Sequence, residues 1–201
     1  MNSLGMIPVY YDAEFTGLHK NTTLISIGMI AENGRTFYAE FNDYDKSQVD
    51  DWLQENIINN LLFNDKEEYE EKTKVSTVMI KGNKEFVKKE LLSWLKEIAG
   101  DTKVQFYTDC YVYDCVLLND LICEDGQAIN LPDYIYYIPY DLSTILQFKG
   151  IDPDIKRESI VPISFVQSLD RIFEESGKHN SLYDAIITYK IFTSLNLIDV
   201  K

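Results

Sequence analysis

Residues 22–41, TTLISIGMIAENGRTFYAEF, constrain this chain more than any other stretch. TTLISIGMIA is almost entirely β-branched or apolar, and TFYAEF alternates, so both segments read as strands. Asn33-Gly34 between them is the dipeptide that a tight hairpin turn favours, because its central residues need positive φ. Residues 6–11, MIPVYY, supply an apolar strand ahead of the pair. The chain therefore opens as three strands with an antiparallel start to a sheet.

The first strand runs into YDAEFTGL, residues 11–18, where Asp12 and Glu14 close the apolar run. A partly buried carboxylate costs free energy unless something compensates it. Strand side chains alternate with period two, so Asp12 and Glu14 point the same way. Either one cation is offered both carboxylates, or the strand end is simply open to water. The D-x-E pattern alone leaves both readings standing.

The remaining chain alternates helices and strands. Val49, Trp52, Leu53, Ile57 and Leu61 have helical spacing over 46–63, with Ser47 as the expected cap. NDKEEYEEKTK, 64–74, is a charge run that reads as a solvated loop or helix face, and 64–82 as a whole reads as an extended loop. KGNK at 81–84 lacks the spacing of a phosphate-binding loop. A helix is expected over 84–99, ended by Gly100. A strand over 103–109, a helix over 111–122 and a tyrosine-rich strand over 133–140 follow. Asp141 should cap LSTILQF; Gly177 should close a helix over 164–176; the last helix should span 182–195. Alternation of this kind implies parallel strands covered by helices. The expected class is one α/β domain spanning 1–201, with a mixed sheet, antiparallel in its first three strands and parallel afterwards.

Charge and cysteines narrow the function classes. The net charge of −14 gives no long-range attraction for polyanions and argues against a nucleic-acid-coating protein. A site made locally positive by bound divalent ions stays compatible with it. Cys110, Cys115 and Cys123 have no C-x-x-C spacing and read as reduced thiols rather than a zinc set. The opening residues carry no basic-then-apolar leader, and no apolar run reaches the roughly 18 residues a membrane span needs. The expected location is the cytoplasm, with no membrane partner.

Three further residues bear on the acids. Asp114 sits in YVYDCVLL, among apolar neighbours, where solvation explains it poorly; Asp109 is a rival that reads equally as a helix cap. In GKHNSLYDA, Asp184 lies five residues after His179, just inside the last helix. Ser181 and Asp184 also fit a capping box, and His179 alone reads as a loop histidine. Tyr111 is a candidate for stacking on a base or for simple packing.

DAEFTGL, YDCVLL and HNSLYDA, in that order, resemble the three motifs of the DEDDh 3'–5' exonucleases, which share the RNase H-like fold. DAEF, LISIGMIAENGRTFYAEF and VDDWLQENIINNLL together resemble the mycobacterial-type 3'–5' exoribonucleases, the RNase AS family. The resemblance covers about residues 7 to 193. It implies that Asp12, Glu14, Asp114 and Asp184 hold two Mg²⁺ or Mn²⁺ ions and that His179 is the general base. Asp12 would bridge both ions, Glu14 and Asp184 hold one, and Asp114 the other through water. Leu18 falls where relatives pack the 3'-terminal base; Phe15 and Thr16 belong to the same substrate-facing segment, and Phe15 fits the exoribonuclease branch better than the proofreading one. The implied reaction is release of nucleoside 5'-monophosphates from the 3' end of single-stranded RNA. The alternatives are an exodeoxyribonuclease and a silent binding module of the same fold. Adenylate preference and a homodimer are implied by the resemblance alone.

The chemistry fits these residue types. Divalent ions stabilise both the attacking and the leaving oxygen in phosphodiester hydrolysis. Hard ions of this kind want oxygen ligands. Histidine, with an unperturbed pKa of about 6.5, suits a base near neutral pH.

Overall fold

The computed structural model describes residues 5–73, 77–173 and 179–195. Strands β1 (Ile7–Phe15), β2 (Leu24–Ala31) and β3 (Thr36–Phe41) form the expected antiparallel start. Gly34 takes φ of 82° in the hairpin, as the Asn-Gly signal requires. Every residue of β2 is buried, because both faces of this inner strand are covered.

The charge-rich stretch expected as an extended loop carries two strands instead. They are β4 (Tyr69–Lys72) and β5 (Thr77–Gly82), joined through 74–76, which lie outside the described residues. β5 pairs parallel with β3, and β4 closes the edge antiparallel to β5. An edge strand such as YEEK tolerates exposed charges, which also discourage pairing with other chains. Its charges hid it from a hydrophobic-pattern reading; the β-branched run Val75–Ile80 was the available signal.

Expected helix 46–63 is also broken. The α-helix α1 covers only Asp51–Asn56, flanked by 3-10 turns at Lys46–Gln48 and Ile58–Asn60. Asp45 accepts from Ser47 N and Asp50 from Leu53 N, so two aspartate caps restart the chain and Ser47 is not the cap. Asn60 and Asn64 then donate to the carbonyls of Asn56 and Ile58, competing with helix continuation.

Helix α2 (Lys84–Ala99) is capped by Asn83 and ended by Gly100, at φ 54°. β6 (Val104–Thr108) pairs parallel with β1 and feeds α3 (Tyr111–Ile122). The expected strand over 133–140 shrinks to a bridge of Ile135 to Val104 and the two residues of β7 (Tyr140–Asp141). Pro139 has no N–H to give a ladder, and Gln105 Nε2 takes the Ile138 carbonyl instead. α4 (Leu142–Phe148) carries the expected Asp141 cap, whose carboxylate accepts from Thr144 N at 2.8 Å. α5 covers Ile163–Ile172; the expected stop at Gly177 lies outside the described residues. α6 spans Ser181–Ser194.

The result is a seven-stranded mixed sheet of order β4-β5-β3-β2-β1-β6-β7 with helices on both faces, the α/β class expected. One core, around Tyr11, Phe37, Trp94 and Leu121, lies under α2 and α3. The other, around Tyr10, Tyr38, Leu146 and Phe192, lies under α4, α5 and α6. Among the described residues no helix is long and apolar enough to cross a membrane.

Candidate active site

β1 sits inside the sheet, and its last turn of residues leaves the core for a cavity of about 470 Å³. Asp12 and Glu14 lie on its floor, paired across to Gly28 and Ser26 of β2. α6 crosses β1 and β2 on that face. The start of α6 comes close because Gly28 has no side chain: a Cβ there would fall 2.2 Å from Leu182 N. The hydroxyls of Ser26 and Ser181 meet at 3.0 Å beside it. Asn180, not Ser181, caps the helix, its Oδ1 accepting from Leu182 N and Tyr183 N. Asn180 Nδ2 donates to Tyr38 Oη at 3.4 Å, and Tyr38 donates to the buried Glu40 at 2.9 Å. Glu40 is paired with Lys81 at 3.4 Å, which ties the cap to the middle of the sheet.

This docking brings Asp184, in the first turn of α6, to β1. One carboxylate oxygen each from Asp12, Glu14 and Asp184 lie within 4.8 Å of one another. Three of the four sequence-predicted acids thus converge. Asp114, in the first turn of α3, is fully buried; Thr108 donates to its Oδ2, and its Oδ1 has no hydrogen-bond partner among the described residues. Burial pushes the Asp114 carboxyl up to about 8, against the pull of the Thr108 bond. Burial also raises Asp12 well above the usual carboxylate range, with Asp114, Asp184, Glu14 and Asp109 adding in that order. Glu14 is raised by burial and then by Asp184 and Asp114.

The rival, Asp109, is neither a helix cap nor unpartnered. Arg157 holds it through Nε to Oδ2 at 2.6 Å and Nη2 to Oδ1 at 2.8 Å. That contrast separates the two aspartates physically: one is paired with a guanidinium, the other has an oxygen without a hydrogen bond among the described residues.

A divalent cation fits this donor set. Like charges this close, plus an orphaned buried carboxylate oxygen, are stabilised by positive charge. Cys110 also lines the cavity, and burial pushes its thiol up to about 11. The clustered ligand atoms of Asp12, Glu14 and Asp184 are carboxylate oxygens, which are compatible with a divalent metal ion.

His179 lines the same cavity. It adopts φ 61°, and its ring meets the edge of Trp52 with centroids 5.5 Å apart. Sequence periodicity put Trp52 and Leu53 together on an apolar helix face. Adjacent helical residues point about 100° apart, so only one can face inward: Leu53 is buried and Trp52 is half exposed. Asp109, weighed in the sequence as a rival acid, also lines the cavity, and Arg157 is a charged cavity residue that pattern reading missed, since a lone arginine carries no signal.

The substrate-facing candidates divide. Leu18 is 73% exposed at the cavity wall. Phe15 lines the cavity and stacks on Tyr113 at 5.4 Å. The Thr16 hydroxyl is turned inward: it donates to Gln48 Oε1 at 2.6 Å and accepts from Thr23 N at 2.8 Å. Thr16 therefore serves by fixing the loop that carries Leu18, not by presenting its side chain. Tyr111 is exposed at the start of α3 and is not among the residues lining the cavity. A second cavity, about 540 Å³, is lined by Tyr44, Lys46, Lys66 and Lys81 among others, and holds none of the expected site residues.

A mixed sheet with carboxylates at the end of its inner strand, and another at the start of the helix packed on it, is the architecture of an RNase H-like nuclease. Residues 8–195 match the 3'-5' exoribonuclease Rv2179c-like domain, and the chain belongs to that family. Two relatives from Mycobacterium tuberculosis are 3'-5' exoribonuclease Rv2179c (strain H37Rv) and 3'-5' exoribonuclease MT2234.1 (strain CDC 1551). Each is 35% identical over 49 residues, 24% of this chain and 29% of the relative. The matched stretch thus spans less than a third of the relatives' own length.

Proposed function

We propose that this protein is a divalent-metal-dependent 3'–5' exoribonuclease, releasing nucleoside 5'-monophosphates from free 3'-OH ends of single-stranded RNA. The observation that carries the reading is the convergence of Asp12, Glu14 and Asp184 within 4.8 Å on the floor of an open cavity, with His179 in its wall. Family membership supplies the direction of attack and the polymer.

Asp12, Glu14, Asp184 and Asp114 would hold Mg²⁺ or Mn²⁺, two ions per site. Such ions, when bound, neutralise the phosphate and stabilise the attacking and leaving oxygens. The side chains do the rest. His179 takes the proton of the attacking water, a role that its place in the wall of the same cavity allows. Trp52 holds the imidazole from one side. Leu18 packs against the terminal base, and Phe15, braced by Tyr113, forms the wall next to it. The acidic body limits binding to a few terminal nucleotides, because longer contact needs many Lys and Arg on phosphates.

Matched single-stranded RNA and DNA, labelled at the 5' end and incubated with Mg²⁺, Mn²⁺ or EDTA, test this directly. RNA should shorten one nucleotide at a time in the presence of either ion. A 3'-phosphate should slow it, and a circular strand should survive. Cleavage of the circle would contradict exonuclease action, and equal rates on DNA would remove the RNA preference.

A further inference from the structure

Among the described residues, the one arginine in the cavity has no role in the scheme above. Arg157 lines the same cavity as Asp12, Glu14 and Asp184. Among the described residues lining it, Arg157 is the one lysine or arginine. Any polyanion entering this cavity meets carboxylates, and the chain as a whole carries 33 acidic against 19 basic residues.

The guanidinium is aimed by its neighbours. Nε and Nη2 fork onto Asp109; Nη2 also donates to Ser143 Oγ at 2.8 Å, and Nη1 donates to Ile155 O at 2.7 Å. A guanidinium has five N–H donors in a fixed plane. Among the described residues these four bonds leave one N–H, on Nη1. The side chain stays 20% exposed, so it is neither a free surface arginine nor a fully enclosed staple. A pure staple between the end of β6 and the 143–157 segment would explain the fork, but not why the cation forms part of the cavity wall.

We propose that Arg157 is a substrate-binding residue: its remaining N–H and its charge hold a backbone phosphate of the bound strand. Asp109 and Ser143 are the positioning residues that aim it. Arginine suits this task because its planar fork matches oxyanions and it never loses its charge. The inference rests on the exoribonuclease reading and adds to it the group that receives the strand's backbone.

The test compares wild type, Arg157→Lys and Arg157→Gln in steady-state kinetics on short labelled RNA over a salt series, with thermal unfolding alongside. Gln keeps a planar donor for Asp109 but loses the charge; Lys keeps the charge but loses the fork. Arg157→Gln should raise KM about tenfold with kcat little changed, as expected for a lost phosphate contact. The slope of log(kcat/KM) against log salt should become shallower by about 0.7, the single-strand value for one phosphate contact, and Arg157→Lys should keep the wild-type slope. A folded Arg157→Gln with wild-type KM and slope would reduce Arg157 to a staple. Should Arg157→Gln not fold, wild type and Arg157→Lys on strands carrying one uncharged methylphosphonate linkage give a second reading. KM should rise at one linkage near the 3' end in wild type, and less in Arg157→Lys; a flat profile overturns the proposal. If wild type degrades no RNA at all, the exoribonuclease reading falls instead.

Discussion

Gly28 and Leu182 meet backbone to backbone, so closely that a Cβ on Gly28 would lie 2.2 Å from Leu182 N and 2.3 Å from Leu182 Cα. Gly28 is also the register partner of Asp12. The contact that lets α6 settle onto β2 is therefore the contact that brings Asp184 to Asp12 and Glu14. Site assembly depends on the absence of one side chain.

Gly28→Ala should cost about 1–3 kcal/mol, the usual range for overpacking, because the offending atoms, Leu182 N, Leu182 Cα and Ser181 C, are all backbone and cannot rotate away. In a chain of this size that lowers Tm by roughly 2–4 °C per kcal/mol. Activity should fall further than stability, since a helix shift of a few tenths of an ångström or more moves Asp184 relative to β1. Thermal unfolding and turnover on RNA, measured on one preparation, check both. A Gly28→Ala protein equal to wild type in both would mean that α6 need not approach so closely.

Asp12→Asn should abolish turnover and weaken Mg²⁺ or Mn²⁺ binding, because Asp12 is the carboxylate on which Asp114, Asp184, Glu14 and Asp109 all act. EDTA should stop the wild-type enzyme as completely. Titration calorimetry with Mn²⁺ separates lost binding from lost chemistry. Normal turnover by Asp12→Asn would place the reaction elsewhere.

Without metal, the acid cluster should weaken the fold as pH rises. Asp114 titrates near 8 in the folded protein, against about 3.9 for an ordinary aspartate. Between those values the folded state binds more protons than the unfolded one, so stability falls with rising pH across about 4 to 8 and levels off above. Asp12 and Glu14, also raised, add to the same trend. In EDTA, Asp114→Asn should flatten this decline and leave the metal-free protein more stable at pH 8 than wild type, while removing activity. Adding Mg²⁺ should restore wild type most at high pH, where the acids no longer need to release protons. Tm against pH, with and without metal, reads all three. A wild-type Tm that climbs from pH 5 to 8 in EDTA would contradict the buried-acid account.

The sheet's antiparallel half was legible because its signals are local: β-branched runs and Asn33-Gly34 act within a few residues. Asp12, Glu14 and Asp184 were legible through the resemblance of their short motifs to a known family, not through spacing alone. What pattern reading lost were features set by tertiary partners. The caps Asp45 and Asp50 outweigh the helical spacing of 46–63. The edge strand Tyr69–Lys72 exists because β5 offers it a ladder, not because its own residues ask for one. The Asp109–Arg157 fork spans 48 residues of sequence, and nothing in either neighbourhood announces it.

The last prediction separates the two histidines. His179 lies in the cavity wall with Asp184, its ring against the edge of Trp52. His19 is exposed on the β1–β2 loop, its ring folded back over Gly17. A general base typically contributes about 10²–10⁴-fold, so His179→Ala should lower kcat by that order, with metal binding largely kept. Its φ of 61° adds a complication, since most side chains are strained there. Asn tolerates the left-handed region better than Ala but cannot take the proton, so His179→Asn should be as slow as His179→Ala while unfolding at a temperature closer to wild type. Trp52→Ala keeps the base but removes its side support, and should cost less than His179→Ala. His19→Ala should stay within a few-fold of wild type. Single-turnover rates on 5'-labelled RNA, with Tm for each variant, decide the matter. A crippled His19→Ala beside an active His179→Asn would move the proton acceptor to the β1–β2 loop and undo the assignment of His179.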